Sequence, residues 1–146
     1  MLDNACGIIA CLHVIYNNLG ADKIVLEEGS ALKKFIDEQK GKGNAEIATA
    51  MENNKEFKER QSEYAKEGQS NQATEQSDVC HHFIAYVING KGQLIELDGT
   101  KKGPVVIKEA STDVLGDSVA EVKRRLADGE ISEKLSMMSL NVKGEF

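Results

Sequence analysis

Residues 79–99 read VCHHFIAYVINGKGQLIELDG, two runs of β-forming side chains around a pair of glycines. Val79 to Ile88 is rich in aliphatic and aromatic residues, Asn89 to Gly92 supplies a tight turn, and Gln93 to Leu97 resumes the extended pattern. Together they predict a β-hairpin. Asp98-Gly99-Thr100-Lys101-Lys102-Gly103-Pro104 then reads as a turn, and Val105 to Ile107 as a third short strand. Strands joined by such short connections pair antiparallel.

Beyond the sheet, Leu115, Val119, Val122 and Leu126 recur at helical spacing and predict a helix ending near Gly129, followed by a last strand from about Leu135 to Val142. Ahead of the sheet the pattern is helical. Asp3 or Asn4 can cap a helix running through Ile8, Ile9, Leu12 and Ile15 to Leu19, with Gly20 available to end it. Its apolar residues cover more than one face, as in a central helix surrounded by protein. Leu32, Phe35 and Ile36 predict a second helix from near Ser30 to the Gly41-Lys42-Gly43 break. Asn44 can cap a longer polar helix through Ile47, Met51 and Phe57 towards Tyr64. Gly68 to Asp78, GQSNQATEQSD, has no apolar side chain larger than Ala, so burial cannot offset the entropy of ordering it, and a mobile loop is expected. Helices first, then antiparallel strands with a helix inserted, is an α+β order.

At 146 residues the chain is the size of one domain. Its 18 basic and 24 acidic side chains leave a net charge of −6, which argues against a nucleic-acid partner because phosphate binding rests on clustered Lys and Arg. The apolar run 5–16 is too short to span a bilayer, and no basic segment precedes it as in a signal peptide. Neither membrane association nor secretion is therefore expected. Cys6, Cys11 and Cys80 are odd in number and lack the spacing of a disulfide framework, which suits a reducing compartment. The expected location is the cytoplasm, with the nucleus open as well.

Cys6 falls in the first turn of its helix, where unpaired backbone N–H groups and the helix dipole favour a thiolate. His82 is expected to open the first strand of the hairpin and Asp98 to end the second, which makes them neighbours. Cys, His and Asp supply a nucleophile, a base and a group to orient the base, the set an acyl-transferring thiol enzyme uses. Each also has a plainer reading: Cys6 as packing, and Asp98-Gly99 as a turn. Cys80, His81 and His82 suggest a metal site, but without a C-x-x-C pair or a second compact ligand pair no zinc is expected. His13 reads as a structural or partly exposed histidine, Cys11 as an inert thiol in apolar surroundings, and the charged run 55–66 as a solvated helix face.

Asn4-Ala5-Cys6-Gly7, continuing through Leu12-His13 to Asn17-Asn18, resembles the active-site helix of the ubiquitin C-terminal hydrolases, a papain-like thiol protease family. His82-Phe83-Ile84-Ala85 and Leu94-Ile95-Glu96-Leu97-Asp98-Gly99, with Pro104 beyond, resemble the family's histidine and aspartate segments, and 135–142 its closing strand. The resemblance implies a papain-like fold, an antiparallel sheet flanked by helices with a central active-site helix. It makes Cys6 the nucleophile and, through its backbone N–H, an oxyanion donor; His82 the base and later acid; and Asp98 the orienter. His82 is preferred to His81 because it directly precedes Phe83. The implied reaction is hydrolysis of adducts at the C-terminal glycine of ubiquitin or a related modifier, without a cofactor. Gly68 to Asp78 would be the loop that crosses the active site.

The family's oxyanion glutamine stands six positions ahead of its nucleophile, which here falls one place before Met1. The resemblance therefore implies that residues 1–146 form a single catalytic domain lacking its N-terminal part, a central strand included. Loss of such a side-chain donor costs about 10²–10³-fold in rate, so the alternative expectation is an impaired, ubiquitin-binding remnant.

Overall fold

The computed structural model describes residues 5–20, 23–67 and 82–141. The described parts of Met1–Ile9 and Asn18–Phe83 form one compact unit, and those of Ala10–Asn17 and Ile84–Phe146 a second.

The chain enters through helix α1, Ala5–Asn17. It stops two residues short of the expected end at Leu19. The Asn17 side chain donates to the His13 carbonyl at 2.9 Å, and Leu19 instead forms a parallel bridge with Ile24. A second correction concerns burial. An all-round apolar helix needs cover on every side, and α1 has partial cover: no side chain from Cys6 to Asn17 is fully buried, and Cys11 is exposed rather than enclosed. The proposed caps Asp3 and Asn4 lie outside the described residues.

In the first unit, helix α2 is Ala31–Glu38, and Ser30 caps it by accepting the Lys33 N–H at 3.2 Å. Helix α3 is Asn44–Asn53 and helix α4 is Lys55–Glu67. The sequence pattern predicts one long helix here; the structure has two. Asn54 leaves helical geometry at ψ 108, and its side-chain oxygen accepts the Phe57 N–H at 3.1 Å, so it starts α4 as an N-cap. Asn44 is the first helical residue rather than the cap of α3. That position is Gly43, whose N–H donates to the Glu46 carboxylate at 2.9 Å. Phe35, Ile36 and Met51 are buried, and the Phe35 and Phe57 rings meet at 5.0 Å between centroids. The segment Gly68–Asp78 lies outside the described residues.

The second unit carries the sheet. Strand β1 is Ala85–Ile88, β2 is Leu94–Leu97 and β3 is Val105–Lys108, antiparallel in the order β1-β2-β3. The β1–β2 register runs from Ile88↔Leu94 to Ala85↔Leu97. Gly92, at φ 75, donates its N–H to the Asn89 carbonyl at 3.0 Å and closes the turn with a conformation that glycine adopts without strain. The hairpin and third strand stand as expected, but β1 starts late. His82–Ile84 are not in the ladder, and residues 79–81 lie outside the described set.

Helix α5, Val114–Ala127, packs on β1 and β2. Asp113 caps its start by accepting the Gly116 N–H at 2.8 Å. At its end Glu130 donates to the Arg125 carbonyl and Gly129 to that of Leu126, with Gly129 at φ 71, the paired bonds of a Schellman motif. Ala85, Val87, Leu94 and Ile95 form this unit's core. The closing strand expected over 135–142 is not formed within the described residues: 134–141 have no regular structure, and Leu135, Met138 and Leu140 are exposed. No described strand lies beside this segment to give its backbone a ladder, and the Leu135 N–H instead donates locally to the Glu133 carbonyl at 2.9 Å. The described elements are thus α+β, with a three-stranded antiparallel sheet.

Candidate active site

Cys6 is the second residue of α1, half-buried and carrying a free thiol. The backbone N–H groups of a helix's first turn lack intrahelical acceptors, and no acidic side chain in that turn offsets the positive end of the dipole. That setting offers the Cys6 N–H to a developing oxyanion.

The next residue, Gly7, lies against the ring of Phe83. A methyl group at Gly7 would stand 3.8 Å from Phe83 Cδ2 and 3.9 Å from Cε2, ordinary van der Waals contact. Cys6 precedes one of these residues and His82 the other, so the segments carrying the two come together within the first unit. The His82 side chain is exposed.

Asp98 belongs to the second unit, one residue past the last ladder pair Ala85↔Leu97. It organises a four-residue turn. Its Oδ1 accepts the Thr100 N–H at 2.9 Å and the Thr100 hydroxyl at 2.7 Å, while its carbonyl accepts the Lys101 N–H at 3.0 Å. In the same unit the His13 ring lies beside the Leu97 backbone and feels the Asp98 charge, and among the described residues its buried Nδ1 meets no hydrogen-bond partner. Burial pulls the His13 pKa below the usual histidine value, against the opposing pull of the Leu97 backbone and the Asp98 charge. The expected structural or partly exposed histidine is half-buried and has a specific neighbour.

Sequence reasoning missed Glu96. In the central strand β2 its side chain is 1% exposed, and its carboxylate holds Lys101 Nζ on Oε1, with Arg125 Nη2 at 2.5 Å and the Tyr86 hydroxyl at 3.2 Å on Oε2. Burial works to raise this carboxyl's pKa, but the bonds and charges of Lys101 and Arg125 outweigh it and hold the group below the usual range. Arg125 is held in turn by Glu121 at 2.6 Å, so α5 is tied to the sheet through charge as well as apolar contact. The available signal was an acidic residue inside the apolar run Leu94–Leu97.

Cys80 and His81 lie outside the described residues. Among the described ones, no three His, Cys, Asp or Glu side chains gather as a metal site. No helix among them is long and apolar enough to cross a membrane.

Residues 1–127 match the model of a family described as ubiquitin carboxyl-terminal hydrolase, family 1. The chain is 34% identical over 119 residues to a ubiquitin carboxyl-terminal hydrolase of Drosophila melanogaster, covering 82% of this chain and 50% of that protein. It is 33% identical over 132 residues to ubiquitin carboxyl-terminal hydrolase isozyme L1 of Homo sapiens, covering 90% of this chain and 56% of that one. The chain spans about half the length of the curated relatives it matches.

Proposed function

Since the chain belongs to the ubiquitin carboxyl-terminal hydrolase family 1, we propose that it carries the Cys, His and Asp of a papain-like thiol hydrolase acting on adducts at the C-terminal glycine of ubiquitin or a related modifier. In this reading Cys6 Sγ gives its proton to His82 and attacks the carbonyl carbon of that glycine. The oxyanion takes a hydrogen bond from the Cys6 N–H. His82 then returns the proton to the leaving amine or thiol, leaving a thioester on Cys6. Water, activated by His82, attacks the thioester, and the carboxylate and the thiol are released. Asp98 orients the imidazole and stabilises its protonated form.

The observation that best supports the reading is the approach of Gly7 to Phe83, because it draws the Cys6 and His82 segments together within one unit. The net charge of −6 suits a basic ubiquitin tail.

The test is incubation of the purified 146-residue chain with ubiquitin bearing a thiol-reactive electrophile at its C-terminus, with adducts mapped by peptide mass spectrometry and folding checked by circular dichroism. Modification at Cys6, and at neither Cys11 nor Cys80, is the expected result. Saturable ubiquitin binding by a folded chain without an adduct would replace the hydrolase reading with a binding role. A folded chain that neither reacts nor binds would overturn both.

A further inference from the structure

The turn that presents Asp98 is braced from outside itself. The bonds from Thr100 and Lys101 back to Asp98 are local and lie at the surface. The Lys101 side chain then reaches back across the turn to Glu96, two residues before Asp98 on β2. Glu96 is a fixed anchor. Its carboxylate is almost fully enclosed, and its other oxygen is held by Arg125 from α5 and by Tyr86 from the paired strand β1. The bridge therefore connects the far end of the Asp98 turn to both layers of the unit.

An apolar residue would fill the Glu96 position at lower cost, since a buried ion pair is often no more stabilising than well-packed hydrophobic groups. What a carboxylate adds is direction: it accepts from three fixed donors and admits one arrangement of the turn. We propose that Lys101, through its bridge to Glu96, is a positioning residue that holds the Asp98 carboxylate in the orientation its partner histidine requires. The inference rests on the role of Asp98 given above and adds a residue to it. Lys101 touches no reacting atom. Its loss leaves Glu96 paired with Arg125 and Tyr86, so the strand keeps its buried charge compensated while the turn loses its tie to that anchor.

Two measurements on the full 146-residue chain test it, each comparing native protein with Lys101→Met and Lys101→Arg. The first is amide hydrogen exchange at Thr100, whose N–H is bonded to Asp98 Oδ1. The second is the rate at which iodoacetamide alkylates Cys6, with the exposed Cys11 as reference in the same sample. Native Cys6 is expected to react at least about tenfold faster than Cys11, as an activated thiolate does. Lys101→Met should lower Thr100 protection and slow Cys6 by about tenfold or more, leaving Cys11 unchanged, and Lys101→Arg should restore both. Unchanged Thr100 exchange in Lys101→Met overturns the brace. Lost protection with an unaltered Cys6 rate overturns the positioning role. A native Cys6 no faster than Cys11 overturns the hydrolase reading and the positioning role with it, while Thr100 exchange still reports whether the brace exists.

Discussion

Gly7 faces the Phe83 ring so closely that a methyl group on its α-carbon would lie 3.8 Å from Cδ2. That distance admits one carbon and no more. Gly7→Ala is expected to be accepted and, by removing the backbone entropy of a helical glycine, to stabilise the protein by about 0.5–1 kcal/mol. Gly7→Leu must displace the ring and with it the residue before, His82, and should slow Cys6 adduct formation with the ubiquitin electrophile by about tenfold or more. Thermal melts paired with adduct kinetics check both. Equal kinetics in Gly7→Leu and native protein would separate the Gly7 contact from the chemistry.

Glu96 and Arg125 make a buried pair whose value depends on which partner is removed. Arg125→Met leaves the carboxylate, 1% exposed, with only the more exposed Lys101 as a cation, and should cost about 3–5 kcal/mol. Replacing both at once, Glu96→Leu with Arg125→Met, should recover much of that loss, because no charge is then left buried. Urea denaturation of the two single variants and the double variant gives the coupling directly; a double variant as unstable as the sum of the singles would show that the two side chains act independently.

Local pattern carried the fold a long way and stopped at identifiable places. The hairpin, the third strand and α5 follow from alternation, turn glycines and a helical rhythm, all of which act within a few residues. The break at Asn54 was legible only as a slip in phase: Ile47 to Met51 is four residues, but Met51 to Phe57 is six, which no single helical face accommodates. Residues 135–141 lack strict alternation because Met137 and Met138 are adjacent, and among the described residues no neighbouring strand supplies a ladder. For the candidate site, the local settings of Cys6 in a first turn and Asp98 at a strand end could be read from the sequence. The approach of Gly7 to Phe83 and the enclosure of Glu96 are tertiary facts, and a lone carboxylate in a short strand reads by default as solvent-facing.

Asn54 stands between α3 and α4, and its side chain satisfies the Phe57 N–H at 3.1 Å. Asn54→Ala removes that acceptor from the start of α4 and should cost about 0.5–2 kcal/mol, read as a lower denaturation midpoint with an unchanged slope. A changed slope would mean instead that the two helices had fused or frayed. Phe57 packs on Phe35, so weakening the cap also loosens that ring contact.

Glu121 is held by Arg124 and Arg125, whose hydrogen bonds outweigh the cost of burial and bring its pKa from 4.5 down to about 2. A depressed carboxyl binds fewer protons folded than unfolded, so its stabilisation is complete above 4.5 and is lost as pH falls from there towards about 2. Glu96 shifts in the same direction and adds to the loss. Glu121→Gln should therefore be less stable than native protein at neutral pH, and the gap between them should close on acidification. A gap that stays constant from neutral pH to about pH 3 would assign the effect to shape rather than charge.

His13 titrates at the other end of the acid range. Burial lowers its pKa from 6.5, so between 6.5 and that lower value the unfolded chain takes up the proton more readily than the folded one. Stability tied to His13 is full above 6.5 and falls as pH drops through the folded value. His13→Gln keeps an amide donor near the position of the ring's Nε2 but cannot be protonated, so its melting temperature should decline less than that of native protein between about pH 7.5 and pH 5. Parallel declines would place the titrating group elsewhere. Because the ring lies beside the Leu97 backbone, immediately before Asp98, the variant also asks whether α1 steadies the Asp98 turn. If it does, thinning that contact by His13→Ala, but not by His13→Gln, should raise hydrogen exchange at Thr100.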